Sequence, residues 1–234
     1  MRSGLKKKIL ILGGSSDISK ELIKNIDLDK YELFLHYNKN KPKIETKNVN
    51  LIKRDFAYLN KSNLKKRLKN LKAFDIIINL IGYMDDKSYF NSNYDNLLKS
   101  LNANFIAPMF IIRESINHMK KKKFGRVINC SSIGTKFGGG KNTFNYSISK
   151  HCSEFIPQEL RKMTDKNVLI NNIKIGVVNT KIHRRISKKA ISKRVKLIPA
   201  KRMGKAGEII KLIIFLINEN SYISSETINI SGGE

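Results

Sequence analysis

The feature that most constrains this chain is a rhythm of short β-forming runs separated by helical patterns, with several of the runs apolar almost without interruption. Ile9–Leu12, Tyr31–Tyr37, Asn50–Ile52, Asp75–Leu80, Arg126–Cys130, Leu169–Ile175 and Thr227–Ile230 read as strands. The strand that holds Ile76, Ile77 and Ile78 has no polar face to offer to water, so it needs cover on both sides. Helices between parallel strands supply that cover, and the pattern predicts an α/β chain: a doubly wound parallel sheet of about seven strands flanked by helices.

Helical spacing is clearest in Leu97, Leu98, Leu101 and Phe105, then Phe110 and Ile111, and again in Ile209, Ile210, Ile213, Ile214 and Ile217. Pro157 falls within the helix expected after Tyr146, where it removes one backbone hydrogen bond and bends the axis. No internal repeat, Pro-rich linker or compositional break divides the 234 residues, so residues 1–234 are read as one domain.

Forty-six Lys and Arg against 19 Asp and Glu give a formal charge of +27, which attracts polyanions without naming one. The chain is also crowded with Asn and Ile, so a compositional bias of the source explains the lysines better than a nucleic-acid surface does. Lys and Asn runs without interleaved aromatics point the same way. Cys130 and Cys152 form no C-x-x-C pair, and neither a disulfide framework nor a metal site is expected. Lys6, Lys7 and Lys8 precede an apolar stretch too short for a signal-peptide core. The apolar run Ile209–Ile217, interrupted by Lys211, falls short of the roughly 20 residues a bilayer span needs. A cytoplasmic protein without a membrane anchor is the expectation.

Directly after the first strand, Gly13-Gly14-Ser15-Ser16-Asp17-Ile18-Ser19 opens a helix whose free N–H groups suit a pyrophosphate. The bland alternative is an ordinary turn with Asp17 or Ser19 as helix cap. Tyr146 and Lys150, four apart, share a helical face. Tyr37 with Lys41 and Tyr83 with Lys87 repeat the spacing, so spacing alone selects none of the three.

Order selects among them. Only Tyr146 follows Gly125-Arg126-Val127-Ile128-Asn129-Cys130-Ser131-Ser132, and the ensemble resembles the short-chain dehydrogenase/reductase family along nearly the whole chain. Tyr146 and Lys150 match its Y-x-x-x-K, and Ser132 matches its catalytic serine. Asp75–Gly82 is similar to its D-I-L-V-N-N-A-G, keeping Asn79 and Gly82. Asn104, before Phe105-Ile106-Ala107-Pro108, corresponds to the asparagine of its active-site tetrad, with Asn102 as competitor. Asn171–Thr180 is similar to N-x-I-x-P-G-x-x-x-T, with Ile175 for Pro and with Gly176, Val178 and Thr180 in the cofactor-facing stretch. Residues 198–233, from Ile198-Pro199-Ala200 to Ser231-Gly232-Gly233, resemble the closing third of family reductases. The departure is the glycine turn, T-G-x-x-x-G-x-G in the family, where Leu12, Asp17 and Ser19 replace Thr and two glycines.

The resemblance implies a Rossmann-type domain that binds NAD(P), with Gly13, Ser15, Ser16, Asp17 and Ile18 under the phosphates, Asn38, Asp55 and Phe56 at the adenosine, and Asn79 and Gly82 beside the nicotinamide. It implies carbonyl reduction or alcohol oxidation with Tyr146 as general acid or base. Lys150 would lower the Tyr146 pKa and meet the ribose, Ser132 would bind the substrate oxygen, and Asn104 would hold a water in the proton relay. No acidic residue ends the second strand, where His36-Tyr37-Asn38-Lys39-Asn40-Lys41 stands, so NADP is favoured over NAD. The nearest resemblance is to 3-oxoacyl-acyl-carrier-protein reductases, and the basic segment Lys181–Lys196 suits an acidic carrier or other anionic substrate. A reductase of sugars or nucleotide sugars is the closest rival, and a non-catalytic basic nucleic-acid-binding module the more distant one. Homotetramers or homodimers are expected by the same resemblance, joined through two long helices that correspond here to Tyr94–Met119 and Tyr146–Met163.

Overall fold

The computed structural model describes residues 5–44, 46, 48–181 and 188–234. Strands and helices alternate as β1 (Lys7–Leu12), α1 (Asp17–Asn25), β2 (Tyr31–Tyr37), β3 (Val49–Lys53), α2 (Leu64–Arg67), β4 (Ile76–Asn79), α3 (Tyr94–Leu101), α4 (Ala107–Lys122), β5 (Gly125–Ser132), α5 (Phe144–Ser153), α6 (Gln158–Arg161), β6 (Val168–Ile175), α7 (Lys188–Leu197), α8 (Ala206–Asn218) and β7 (Thr227–Ile230). The strands form one parallel sheet in the order β3-β2-β1-β4-β5-β6-β7. All seven expected strands are present, each within two residues of its expected ends.

The isoleucine-rich strands are buried on both faces because successive side chains alternate between two cores. Ile9, Ile11, Leu33, Leu35, Ile76 and Ile78 pack on one face with Leu22 and Ile23 of α1 and with Ile209, Ile213 and Leu216 of α8. Leu10, Leu12 and Ile77 pack on the other with Ile111, Ile116 and Met119 of α4. Chain reversal between β1 and β4 leaves both strand ends beside the glycine turn, the position where doubly wound sheets bind ligands.

The first long helix forms, but with a π-helical segment, Asn102–Ile106, between α3 and α4. Pro108 explains it: proline has no N–H for the carbonyl four residues back, and its ring crowds that carbonyl, which belongs to Asn104. The second long helix is broken rather than bent. It ends at Ser153, and Pro157 in extended conformation caps the separate short helix α6. Among the described residues of the β2–β3 crossover, 38–44, 46 and 48, no helix forms.

Candidate active site

The floor of the site is built where β1, β2 and β4 end together. Gly13 has φ +84°, and a Cβ there would lie 2.8 Å from the Leu80 carbonyl carbon and oxygen, so glycine is required by conformation and by space. Its N–H donates to His36 Nδ1 at 3.3 Å, and the other ring nitrogen of His36 lies 3.0 Å from the Arg54 carbonyl. That pair of partners fits a neutral imidazole. Burial pushes the His36 pKa down to about 4, and the ring stacks on Phe56 with centroids 4.4 Å apart. Sequence reasoning assigned His36 no role; its signal is a histidine at the end of the strand that leads to the adenosine side of the site.

Ser16 caps α1, its hydroxyl accepting from the Ser19 N–H at 3.1 Å, so neither Asp17 nor Ser19 is the cap. Asp17 instead turns to the far side of the cleft, where its Oδ2 accepts from the Lys181 N–H at 2.8 Å. This bond ties the glycine turn to the segment just past Thr180. Ile18 is partly buried against the α1-side core. Asp55 closes its own turn by accepting from the Ala57 N–H at 3.0 Å. Phe56 is only 2% exposed, its ring packed on His36.

At the end of β4, Asn79 accepts from the Ile81 N–H at 3.2 Å, while its own amide nitrogen is buried without a partner. Exposed Gly82 follows. An unsatisfied buried donor beside a glycine turn and a helix N-terminus fits a site built for a polar, anionic ligand.

The chemical centre lies between β5 and α5. The half-buried Tyr146 is hydrogen-bonded with Ser132, which also accepts from the Gly134 N–H at 3.2 Å. Burial raises the phenol pKa and the Ser132 contact opposes the rise; the Cys130 thiol also pushes it up. The expectation that Lys150 lowers it is therefore corrected, since the counterweight here is Ser132. Lys150 is buried, and its Nζ donates to the Ile81 carbonyl at 2.5 Å and the Cys130 carbonyl at 2.6 Å. Burial brings its pKa down to about 8, with Cys130 and Glu154 opposing.

The two asparagines divide their work. Asn104 donates to the Tyr83 carbonyl at 2.9 Å and to Ser149 Oγ at 2.8 Å, and accepts from the Tyr83 N–H at 2.8 Å, on the α5 side. Asn102 donates to the Ala57 and Leu59 carbonyls, on the opposite side. The Asn104 side chain is thus fully engaged, and any water at this residue falls to its carbonyl, to which Pro108 cannot donate.

The remaining expected contacts separate. Gly176 is explained by packing, because a Cβ there would lie 2.6 Å from Ser231 Cα. With Val178, 3% exposed, it lines a cavity of about 140 Å³ shared with Arg202, Glu208 and Gly232, away from Tyr146. Thr180 is buried next to the Asp17 tie. The basic residues Arg184 and Arg185 lie outside the described residues, as do the side chains of Lys188 and Lys189, while Arg194 pairs with Glu234.

A family model described as enoyl-(acyl carrier protein) reductase matches residues 61–234, about three quarters of the chain. The chain belongs to the short-chain dehydrogenase/reductase family. It is an NAD(P)-dependent oxidoreductase by that membership. The 3-oxoacyl-[acyl-carrier-protein] reductase FabG of Buchnera aphidicola subsp. Baizongia pistaciae is 32% identical over 167 residues, covering 70% of this chain and 68% of its own. The reductase of the same name from the subspecies Schizaphis graminum is 25% identical over 241 residues and covers 97% of both chains. The short-chain dehydrogenase/reductase fold recurs in a 4-hydroxyisoleucine dehydrogenase complexed with NADH, at TM-score 0.83 and 23% identity over 97% of this chain and 98% of that one. It recurs too in a 3-oxoacyl (acyl-carrier-protein) reductase of Agrobacterium tumefaciens C58 with NADP bound, at TM-score 0.81 and 19% identity over 99% and 95%.

Proposed function

We propose that this protein reduces a 3-oxoacyl group, presented on a carrier, with NADPH as reductant. The observation that carries this reading is the Ser132–Tyr146 hydroxyl pair at the end of β5, with Lys150 one helical turn further along α5. A tyrosine that holds its proton serves carbonyl reduction as general acid. Ser132 and Tyr146 are two hydroxyl donors suited to one substrate oxygen, which gathers negative charge as the carbonyl is reduced. The names of the curated relatives supply the substrate class.

The nicotinamide, when bound, supplies the hydride. Gly13, Ser15, Ser16 and the N-terminus of α1 would hold its phosphates, Asn79 would meet its polar edge through the unpartnered amide, and Lys150 would reach the ribose. Lys150 would replenish the phenol's proton by way of water at the Asn104 carbonyl. A cavity of about 430 Å³ opens beside Ser15, lined by Lys20, Lys24, Lys41, Lys43 and Lys181 with Asn40, and among the described residues no carboxylate lines it. That lining supports a phosphorylated ribose, hence NADP over NAD. Unpaired Cys130 and Cys152 fit a reducing cytoplasm. No helix among the described residues is long and apolar enough to cross a membrane. Exposed Met109 on α4 and Ile148 on α5 support a homotetramer or homodimer.

The test follows NADPH and NADH oxidation against acetoacetyl-carrier protein, acetoacetyl thioesters of small thiols, sugars and simple ketones. Carrier-bound substrate with NADPH should give the highest kcat/KM. A sugar that outpaces every thioester would overturn the substrate reading, and an NADH preference the cofactor reading. Tyr146→Phe should bind NADPH within about twofold of wild type yet lose at least about 100-fold in kcat, the usual scale for removing a general acid.

A further inference from the structure

We propose that Glu154 is a positioning residue for the catalytic centre, one carboxylate that fixes the backbone on both sides of Ser132 and sets the charge environment of Lys150. The inference rests on the family membership and on the residue roles proposed above, not on the choice of substrate.

Tyr146, Lys150 and Glu154 recur every fourth residue, so they fall on one face of α5 and its C-terminal cap. Each engages the end of β5 or the turn that follows. Tyr146 meets Ser132, Lys150 meets the Cys130 carbonyl, and Glu154 meets the two hydroxyls that flank Ser132. Its Oε1 accepts from Ser131 Oγ at 2.5 Å and from Thr135 Oγ1 at 2.8 Å. Ser131 precedes Ser132 on the strand, and Thr135 sits in the 3₁₀ turn that Ser132 caps. The chain on either side of Ser132 is therefore tied to the same carboxylate.

Electrostatics adds a second link. The Glu154 side chain is 13% exposed, and its Oε2 lies 3.0 Å from Lys174 Nζ on β6 and 4.0 Å from His151 Nδ1 on α5. Lys150 and Tyr146 on α5 and the Cys130 thiol on β5 are the other ionisable groups here, and Glu154 favours the charged form of Lys150 against its burial. Lys174 pairs with this carboxylate directly, while Lys150, one helical turn before it, bonds to the Ile81 and Cys130 carbonyls and feels its charge at longer range. Removing that charge would leave Lys174 uncompensated and the ammonium form of Lys150 less favoured. The Asn172 amide donates to the Glu154 carbonyl at 2.7 Å and holds the backbone of the cap in place.

A merely structural Glu154–Lys174 pair would leave the protonation of Lys150 untouched, which makes that protonation the discriminating measurement. Lys150 is titrated by NMR in protein carrying ¹³C-labelled lysine, its signal assigned with Lys150→Arg, in wild type, Glu154→Gln, Glu154→Asp and Lys174→Met. Glu154→Gln should move the Lys150 midpoint down by about one pH unit, and Glu154→Asp should restore most of it. Lys174→Met should not lower it. With a thioester that wild type reduces, Glu154→Gln should cost about tenfold or more in kcat and leave KM for NADPH within about twofold, as expected for misplacement of a catalytic group. An unchanged Lys150 midpoint in folded Glu154→Gln overturns the proposal whatever the substrate is. Failure of wild type to reduce any thioester overturns the substrate reading alone. Should Glu154→Gln not fold, Ser131→Ala and Thr135→Val each delete one link, and wild-type kcat in both would equally overturn it.

Discussion

Asp17 stands where the family pattern has a glycine that admits phosphate closely, yet its carboxylate is already committed to the Lys181 N–H. A dinucleotide must approach that negative charge or displace its bond. Asp17→Gly should therefore tighten NADPH binding about tenfold, or about 1.4 kcal/mol, in a fluorescence titration; equal or weaker binding would show that the carboxylate helps rather than hinders. Lys150 gives a second test at this scale. With its pKa near 8, reduction should lose rate as pH rises through about 8, visible as an alkaline limb in kcat. The same group affects stability with the opposite sign. Its pKa falls from 10.5 in the unfolded chain to about 8 in the fold, so between those values the unfolded chain holds more protons and stability rises with pH. Tyr146, Lys150 and Ser132 were legible because each occupies a fixed place in an ordered series of motifs. His36 and Glu154 were not, since their roles depend on partners distant in sequence: Gly13 for one, and Ser131, Thr135 and Lys174 for the other.

Among the elements, proline decides two outcomes that periodicity could not. Pro108 is absorbed by a widened turn in a helix that α5 and the core hold on both sides, whereas Pro157 stands at the start of a separate short helix after α5 has ended at Ser153. The tertiary surroundings separate the two. The β4 end depends on Asp75, buried to 1% exposure, which accepts from the Lys8 N–H at 2.8 Å and pairs with Lys122 at 2.9 Å and His118 at 3.0 Å on α4. Burial works to raise its pKa, but these partners outweigh burial and hold it below the ordinary carboxylate value. A depressed carboxylate pKa stabilises the fold above the unfolded value and loses that stabilisation as pH falls through the folded one. Asp75→Asn should cost about 1–3 kcal/mol in a denaturant midpoint at neutral pH, and the gap from wild type should narrow on acidification. A pH-independent gap would remove charge from the explanation.

For the whole molecule, seven strands, their order of appearance and the burial of the central ones on both faces followed from apolar runs such as Ile76-Ile77-Ile78, because a fully buried strand has few architectures open to it. The covering of the sheet was less legible. Helix formation between β2 and β3 is a matter of local packing, and the described part of that crossover contains none, with Ile44 reaching into the core from irregular chain. The two edges of the cofactor cleft therefore differ in what protects them. β5 is buried along nearly all of its length, while β3 is partly or fully exposed throughout. Amide hydrogens of β3 should exchange first in the free protein and gain the most protection when NADPH is added, more than those of β5; equal gains in the two strands would contradict this. The adenosine half of the dinucleotide then serves as a roof over a stretch the chain leaves open. Supply of reductant thus becomes a determinant of how long the protein lasts as well as how fast it works, with saturation at 100 times Kd adding about 2.7 kcal/mol.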